Sequence, residues 1–171
     1  MKKESKYIIQ EFSSSIEQNL LEQIYFLNQE NTPGVGSLSS TKELQNLLRQ
    51  SSKNYYVFFK NKIIGFMICF REKSAYNSKN YEFFKKKESK FLYVDRIAIS
   101  DKYRRSGIGK NLYLKIKSLA ANNDLPVCCE VNTDPLNEIS IRFHKDLGFT
   151  EVGECKFKNH SVVYLRKKYD A

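Results

Sequence analysis

The chain has 171 residues, 41% hydrophobic and 28% charged, ordinary globular values that suit a single domain over residues 1–171 with a substantial core. No apolar run approaches the ~20 residues of a membrane span, and Met1-Lys2-Lys3-Glu4-Ser5-Lys6-Tyr7 lacks the apolar core of a signal peptide, so a soluble cytoplasmic protein is expected. The net charge of +10 admits a nucleic-acid partner, but 22 Lys and 7 Arg are spread along the chain, with only Lys85-Lys86-Lys87 compact, and a solvated surface is the simpler reading.

In chain order, Lys6 to Phe12 reads as a first strand. Ser15 is placed to cap a helix to about Asn28, with Ile16, Leu20, Ile24 and Leu27 at helical spacing. Asn28 to Leu38, with one Pro and two Gly, is a loop whose small and amide residues suit a substrate rim or a plain connector. Ser40-Thr41-Lys42-Glu43 has capping-box spacing before a short helix carrying Leu44, Leu47 and Leu48. Tyr55 to Phe59 and Ile63 to Arg71 form a hairpin about Lys60-Asn61-Lys62. Glu72 to Lys90 has no clear period beyond a turn of helix near Tyr81 to Lys86; it is read as a substrate loop or a surface insertion.

Phe91 to Ser100 is the central strand, apolar except for Asp95 and Arg96, charges that need partners or an opening in the sheet. A helix runs from Gly107 to Asn122, and Val127 to Asn132 is a strand carrying Glu130. Asn137 to Leu147 is helical, with Ile139, Phe143 and Leu147 on the core stripe and His144 on a different face. Gly148 closes that helix, and Thr150 to Phe157 and Ser161 to Arg166 are the last two strands. The four cysteines (Cys69, Cys128, Cys129, Cys155) lack paired metal spacing, and three lie in apolar strand-like runs where a buried free thiol is expected.

Between the central strand and its helix lies Arg104-Arg105-Ser106-Gly107-Ile108-Gly109-Lys110. Two glycines allow close backbone approach, and the free N–H groups of the first helical turn favour a phosphate or pyrophosphate. The spacing is neither a dinucleotide fingerprint nor a Walker A loop. Arg104-x-x-Gly107-x-Gly109 instead resembles the Arg/Gln-x-x-Gly-x-Gly/Ala signature of the GNAT superfamily of acyl-CoA-dependent N-acetyltransferases. Asn137 to Phe149 resembles the family's Asn-x-x-(Ala/Ser)-x-x-x-(Tyr/His)-x-x-x-Gly-Phe helix, in the family's order. The loop from Asn31 to Gly36 and Tyr93-Val94-Asp95-Arg96-Ile97 are similar to a subgroup of predicted acetyltransferases with unassigned substrate.

The resemblance implies an α/β GNAT fold: a mixed, largely antiparallel sheet of six to seven strands with about four helices, splayed between the fourth and fifth strands. It implies acetyl-CoA as co-substrate, no metal, and a primary amine acceptor on a small molecule or peptide, in a monomer or homodimer without membrane or nucleic-acid partners. By resemblance, Ile97, Ala98 and Ile99 face the pantetheine, Arg104, Arg105, Ser106, Gly107, Ile108, Gly109 and Lys110 hold the pyrophosphate, and Asn137 reaches the pantetheine arm. His144 stands near the coenzyme sulfur where many relatives carry tyrosine, and three roles stay open: hydrogen-bond donor from the neutral ring, acid as imidazolium, or packing. Direct attack by a neutral amine needs a proton acceptor, for which Glu130 and Asp95 are candidates, beside solvent; each also has a structural reading, Asp95 as a partner of Arg96 and Glu130 as a loop anchor. Asn31, Tyr76 and Tyr81 are candidate substrate contacts. The alternative is a non-catalytic acyl-CoA-binding or regulatory module.

Overall fold

The computed structural model describes residues 7–170; Lys6, at the expected start of the first strand, lies outside them. The elements are β1 (Ile8–Phe12), α1 (Gln18–Glu30), α2 (Thr41–Gln50), β2 (Lys53–Phe59), β3 (Lys62–Arg71), α3 (Lys79–Lys87), β4 (Leu92–Ile99), a 3-10 turn (Asp101–Tyr103), α4 (Ile108–Asn122), β5 (Val127–Asp134), α5 (Glu138–Asp146), β6 (Thr150–Lys156) and β7 (Ser161–Lys167). The strands follow the order β1-β2-β3-β4-β5-β7-β6, mostly antiparallel, with β4 and β5 the parallel pair. This is the mixed α/β sheet expected, with α3 as a fifth helix. No helix among the described residues is long and apolar enough to cross a membrane.

The chain divides into two compact units, one running to Ile68 and including Arg96–Leu112, the other comprising Cys69–Asp95 and the residues from Tyr113 onward. In the first, β1 pairs antiparallel with β2, Ile8 opposite Phe58 and Phe12 opposite Asn54. Lys60 and Asn61 take φ of 47° and 62°, the left-handed pair of a type I′ turn, so β2 reverses directly into β3. Ser40 caps α2 by accepting from the Glu43 amide at 3.2 Å, while the Glu43 carboxylate reaches back to the Ser39 amide at 2.5 Å. Leu21, Ile24, Leu44 and Leu48 are buried, each contributing roughly 1.5–3 kcal/mol. The expected Ser15 cap is not formed: Ser13 and Ser15 share a 2.8 Å hydroxyl bond and make a local turn, and α1 starts at Gln18 without a side-chain cap.

In the second unit the β4–β5 ladder contains two pairs, Leu92 opposite Val127 and Tyr93 opposite Cys128, and stops before Val94. β7 pairs antiparallel with both β5 and β6, so the last strand lies between them. α3 is capped by Ser78 and buries Tyr81 and Phe84, whose rings lie 5.6 and 6.4 Å from Phe91. Phe83 stacks on Tyr164 at 3.9 Å. That stack crosses Gly153, where a Cβ would stand 2.7 Å from the Phe83 ring. α5 corrects the expected stripe: Ile139 is 68% exposed, and His144, at 3%, is the residue its helix buries. Polarity misled here, because both ring nitrogens of His144 have partners and the ring packs as a core aromatic. Cys69, Cys128 and Cys129 are buried free thiols, and Cys155 is half-buried.

Candidate active site

In the first unit, the strand end and the basic turn are joined by Arg104. Its guanidinium sits 2.9 Å from Asp101 and donates to the Asn31 side chain at 2.9 Å and to the Ile99 carbonyl at 3.4 Å. Asn31, expected at the substrate rim, also donates to the Leu27 carbonyl at 2.8 Å, so it ties the end of α1 to this turn. Arg104 therefore braces the loop. Arg105 and Gly107 have φ of 59° and 82°, a left-handed pair that turns the chain into α4. No heavy atom lies within 4 Å of where a Gly107 Cβ would be. Arg105, Ser106 and Lys110 are exposed, Gly109 is half-buried, and Ile108 is anchored in the core at 2% exposure. The first-turn amides of α4 lack intrahelical acceptors, and with these side chains they make a cationic, amide-bearing turn, the chemistry that suits an anionic ligand.

Ile97, Ala98 and Ile99 close β4, with Ala98 buried and the other two half-buried. Gly65 is required beside them, since a Cβ there would meet the Ile99 Cδ1 at 2.8 Å. Strand alternation sends Asp95 and Arg96 to opposite faces. Arg96, 7% exposed, donates to Asn28 at 2.7 Å and to the Gly36 carbonyl at 3.0 Å, which pins the loop after α1.

The second unit holds the carboxylates. Glu130 on β5 accepts from the Tyr93 hydroxyl at 2.7 Å and from the Asn80 amide at 3.2 Å, and Asn80 in turn accepts from the Tyr164 hydroxyl at 2.9 Å. Burial, then the charge of Asp95, pushes the Glu130 carboxyl up to about 8, against the opposing effect of the Tyr93 and Asn80 hydrogen bonds. Asp95 accepts from the Tyr76 hydroxyl at 2.7 Å, and the Tyr76 ring stacks on Phe70 at 4.2 Å. Asp95, Glu130 and Tyr76 thus belong to one polar cluster. Tyr81 is fully buried and donates to the Arg71 carbonyl at 2.6 Å.

Asn137 caps α5, its Oδ1 accepting from the Ser140 amide at 3.2 Å. The Nδ1 of His144 faces the Ser140 carbonyl at 2.7 Å, so Nδ1 carries the proton, and Nε2 accepts from the Tyr113 hydroxyl at 2.8 Å. Burial lowers the histidine's pKa and keeps the ring neutral. Sequence reasoning missed Tyr93, Asn80, Tyr164 and Tyr113. Tyr93 had a usable signal, two places before Asp95 on the same strand face; the other three become partners only through the fold.

The profile of the Acetyltransferase (GNAT) family matches residues 21–149. The chain belongs to this family. Among solved structures, the GNAT chain is similar to the ribosomal-protein-S18-alanine N-acetyltransferase from Escherichia coli, at 15% identity with 96% of each chain covered and a TM-score of 0.66. It is also similar to Ard1 from Thermoplasma volcanium (19% identity, 95% and 97% covered, TM-score 0.70). A third is Arabidopsis thaliana NAA60 bound to a bisubstrate analogue (16% identity, 94% and 97% covered, TM-score 0.69). At these identities the likeness is one of fold. No curated protein matches the sequence. Family membership makes this GNAT protein an acyltransferase of an acetyl-CoA-dependent family.

Proposed function

We propose that this GNAT protein transfers the acetyl group of acetyl-CoA to the primary amine of an acceptor by direct attack in a ternary complex, and that residues 1–171 act as one domain, in the cytoplasm. The observation that carries the catalytic reading is the Glu130 carboxylate, held by Tyr93 and Asn80 with a pKa of about 8. Once ionised, a carboxylate with that pKa is a stronger base than an ordinary one, and as pH rises toward 8 its growing ionised fraction takes the proton of an ammonium. A non-catalytic acyl-CoA-binding module has no need of a half-buried carboxylate tuned in this way.

The residues of the turn fit the coenzyme: Gly107 leaves open space beside a cationic, amide-lined loop end. When bound, acetyl-CoA supplies the activated acetyl group. Arg105 to Lys110 hold its pyrophosphate, Arg104 braces the turn, and Ile97 to Ile99 and Asn137 receive the pantetheine arm. Glu130 takes the amine proton, and Asp95 raises its basicity. Of the three roles open to His144, packing has the support of its contacts, because the ring is neutral and its one N–H is already donated to the Ser140 carbonyl. The structural neighbour named for alanine acetylation of a ribosomal protein supports a peptide-like amine as acceptor.

The test is calorimetric titration with acetyl-CoA, followed by acceptor-dependent thiol release. Gly107→Asp with Arg105→Ala is expected to abolish coenzyme binding. Glu130→Gln is expected to keep that binding and lower turnover roughly 100-fold. Turnover unchanged in Glu130→Gln would remove the assigned base, and absence of coenzyme binding by the parent would remove the whole reading.

A further inference from the structure

α3 and the β6–β7 hairpin border a solvent-open cavity of about 640 Å³, within the size range of small-molecule and short-peptide pockets. Phe83, Phe157, Tyr164 and Cys155 give it apolar walls, and Lys79, Lys86 and Lys87 line it with ammonium groups. The ammonium groups of Lys79 and Lys87 lie 5.8 and 5.2 Å from the centroids of Phe157 and Phe83, over aromatic faces, and that of Lys87 also donates to the Val152 carbonyl at 2.7 Å. Two carboxylates, Glu82 and Glu154, also line it. Glu82 is 3.4 Å from Lys85, which lies outside the lining, and this leaves the cavity with a positive balance. The Tyr164 hydroxyl reaches Asn80, and Asn80 reaches Glu130, so one side-chain amide separates the cavity wall from the carboxylate assigned as base.

We propose that this cavity binds the body of the acceptor, and that the acceptor is a short peptide bearing an acidic side chain and an apolar group beyond its reacting amine. The lysines recognise the acid, the rings cover the apolar part, and the Tyr164–Asn80–Glu130 chain couples occupancy to the base. This rests on the acetyltransferase reading for the word acceptor, while the binding claim stands on the cavity itself.

Cys155 supplies a reporter that needs no turnover, since the other three thiols are buried. The rate of iodoacetamide alkylation at Cys155 is measured with the tetrapeptide Ala-Phe-Glu-Glu and with Ala-Phe-Gln-Gln. The acidic peptide is expected to slow alkylation at least 5-fold at a concentration where the glutamine peptide does not. Lys79→Glu with Lys86→Glu is expected to abolish that protection, and the milder Lys79→Gln with Lys86→Gln to weaken it. In thiol-release assays the parent is expected to favour the acidic peptide at least 10-fold in kcat/KM, and the charge-reversed protein to lose the preference. Equal protection by both peptides, no protection, or protection that survives charge reversal overturns the proposal. Protection without coenzyme binding would remove the acetyltransferase reading and leave the peptide site. Coenzyme binding and turnover without discrimination would do the reverse.

Discussion

Glu130 and Asp95 are two carboxylates whose environments separate their roles, and each is held by a tyrosine hydroxyl. The Asp95 charge raises the Glu130 pKa and the Tyr93 hydrogen bond lowers it, so the two effects can be removed one at a time. With one acceptor amine held fixed, the ascending, acidic limb of the kcat/KM profile in Asp95→Asn is expected to move to lower pH by roughly 0.5–1 unit, and in Tyr93→Phe to higher pH by a similar amount. Shifts in the same direction in both would show that the limb belongs to another group. The same pKa carries a stability consequence. The folded protein holds the Glu130 proton up to about pH 8, whereas the unfolded chain releases it near the ordinary carboxylate value, so this group's contribution to stability falls as pH rises through that window. Glu130→Gln is therefore expected to gain on the parent between pH 5 and pH 9 in urea titrations.

Most elements were readable in the chain because their signals are local. The Ser40 capping box, the left-handed Lys60-Asn61 turn and the Gly107 turn each need only their own residues. The sequence shows only a single turn of α3 because its apolar positions, Tyr81, Phe83 and Phe84, are few and are followed by three lysines, and it becomes a nine-residue helix through Tyr81 and Phe84 against Phe91. The face of α5 was misread because a histidine with both nitrogens satisfied buries as well as a phenylalanine. The carboxylates were found as strand residues, but the groups that tune Glu130 come from α3, β4 and β7, and no spacing in the chain announces that meeting. Gly153 tests how firmly α3 is seated. A Cβ there would lie 2.7 Å from the Phe83 Cζ, and that ring cannot withdraw without losing its stack on Tyr164. Gly153→Ala is expected to cost about 1–3 kcal/mol in urea unfolding. Combining it with Phe83→Leu should cost less than the sum of the two single changes, and strict additivity would show that the contact does not couple α3 to β6.

At the scale of the whole molecule, the proposal that residues 1–171 act as one domain has a thermodynamic signature. The boundaries between the compact units fall within β3, β4 and α4, so no linker separates them in sequence. A ligand that binds only the folded chain stabilises it by mass action, about 2.7 kcal/mol at 100 times its Kd. For a chain of this size that corresponds to a rise in Tm of roughly 5–11 °C. If the chain unfolds as one cooperative body, acetyl-CoA must shift a single transition, and hydrogen exchange must slow in β5 and β7 as well as in β1 and β2. Heating monitored by circular dichroism, with exchange read peptide by peptide, decides the matter. Two transitions, of which acetyl-CoA moves only one, would show two independently folding bodies. With Gly107→Asp and Arg105→Ala, the ligand-dependent shift should vanish while the transition itself persists, which separates loss of the pyrophosphate turn from loss of the fold.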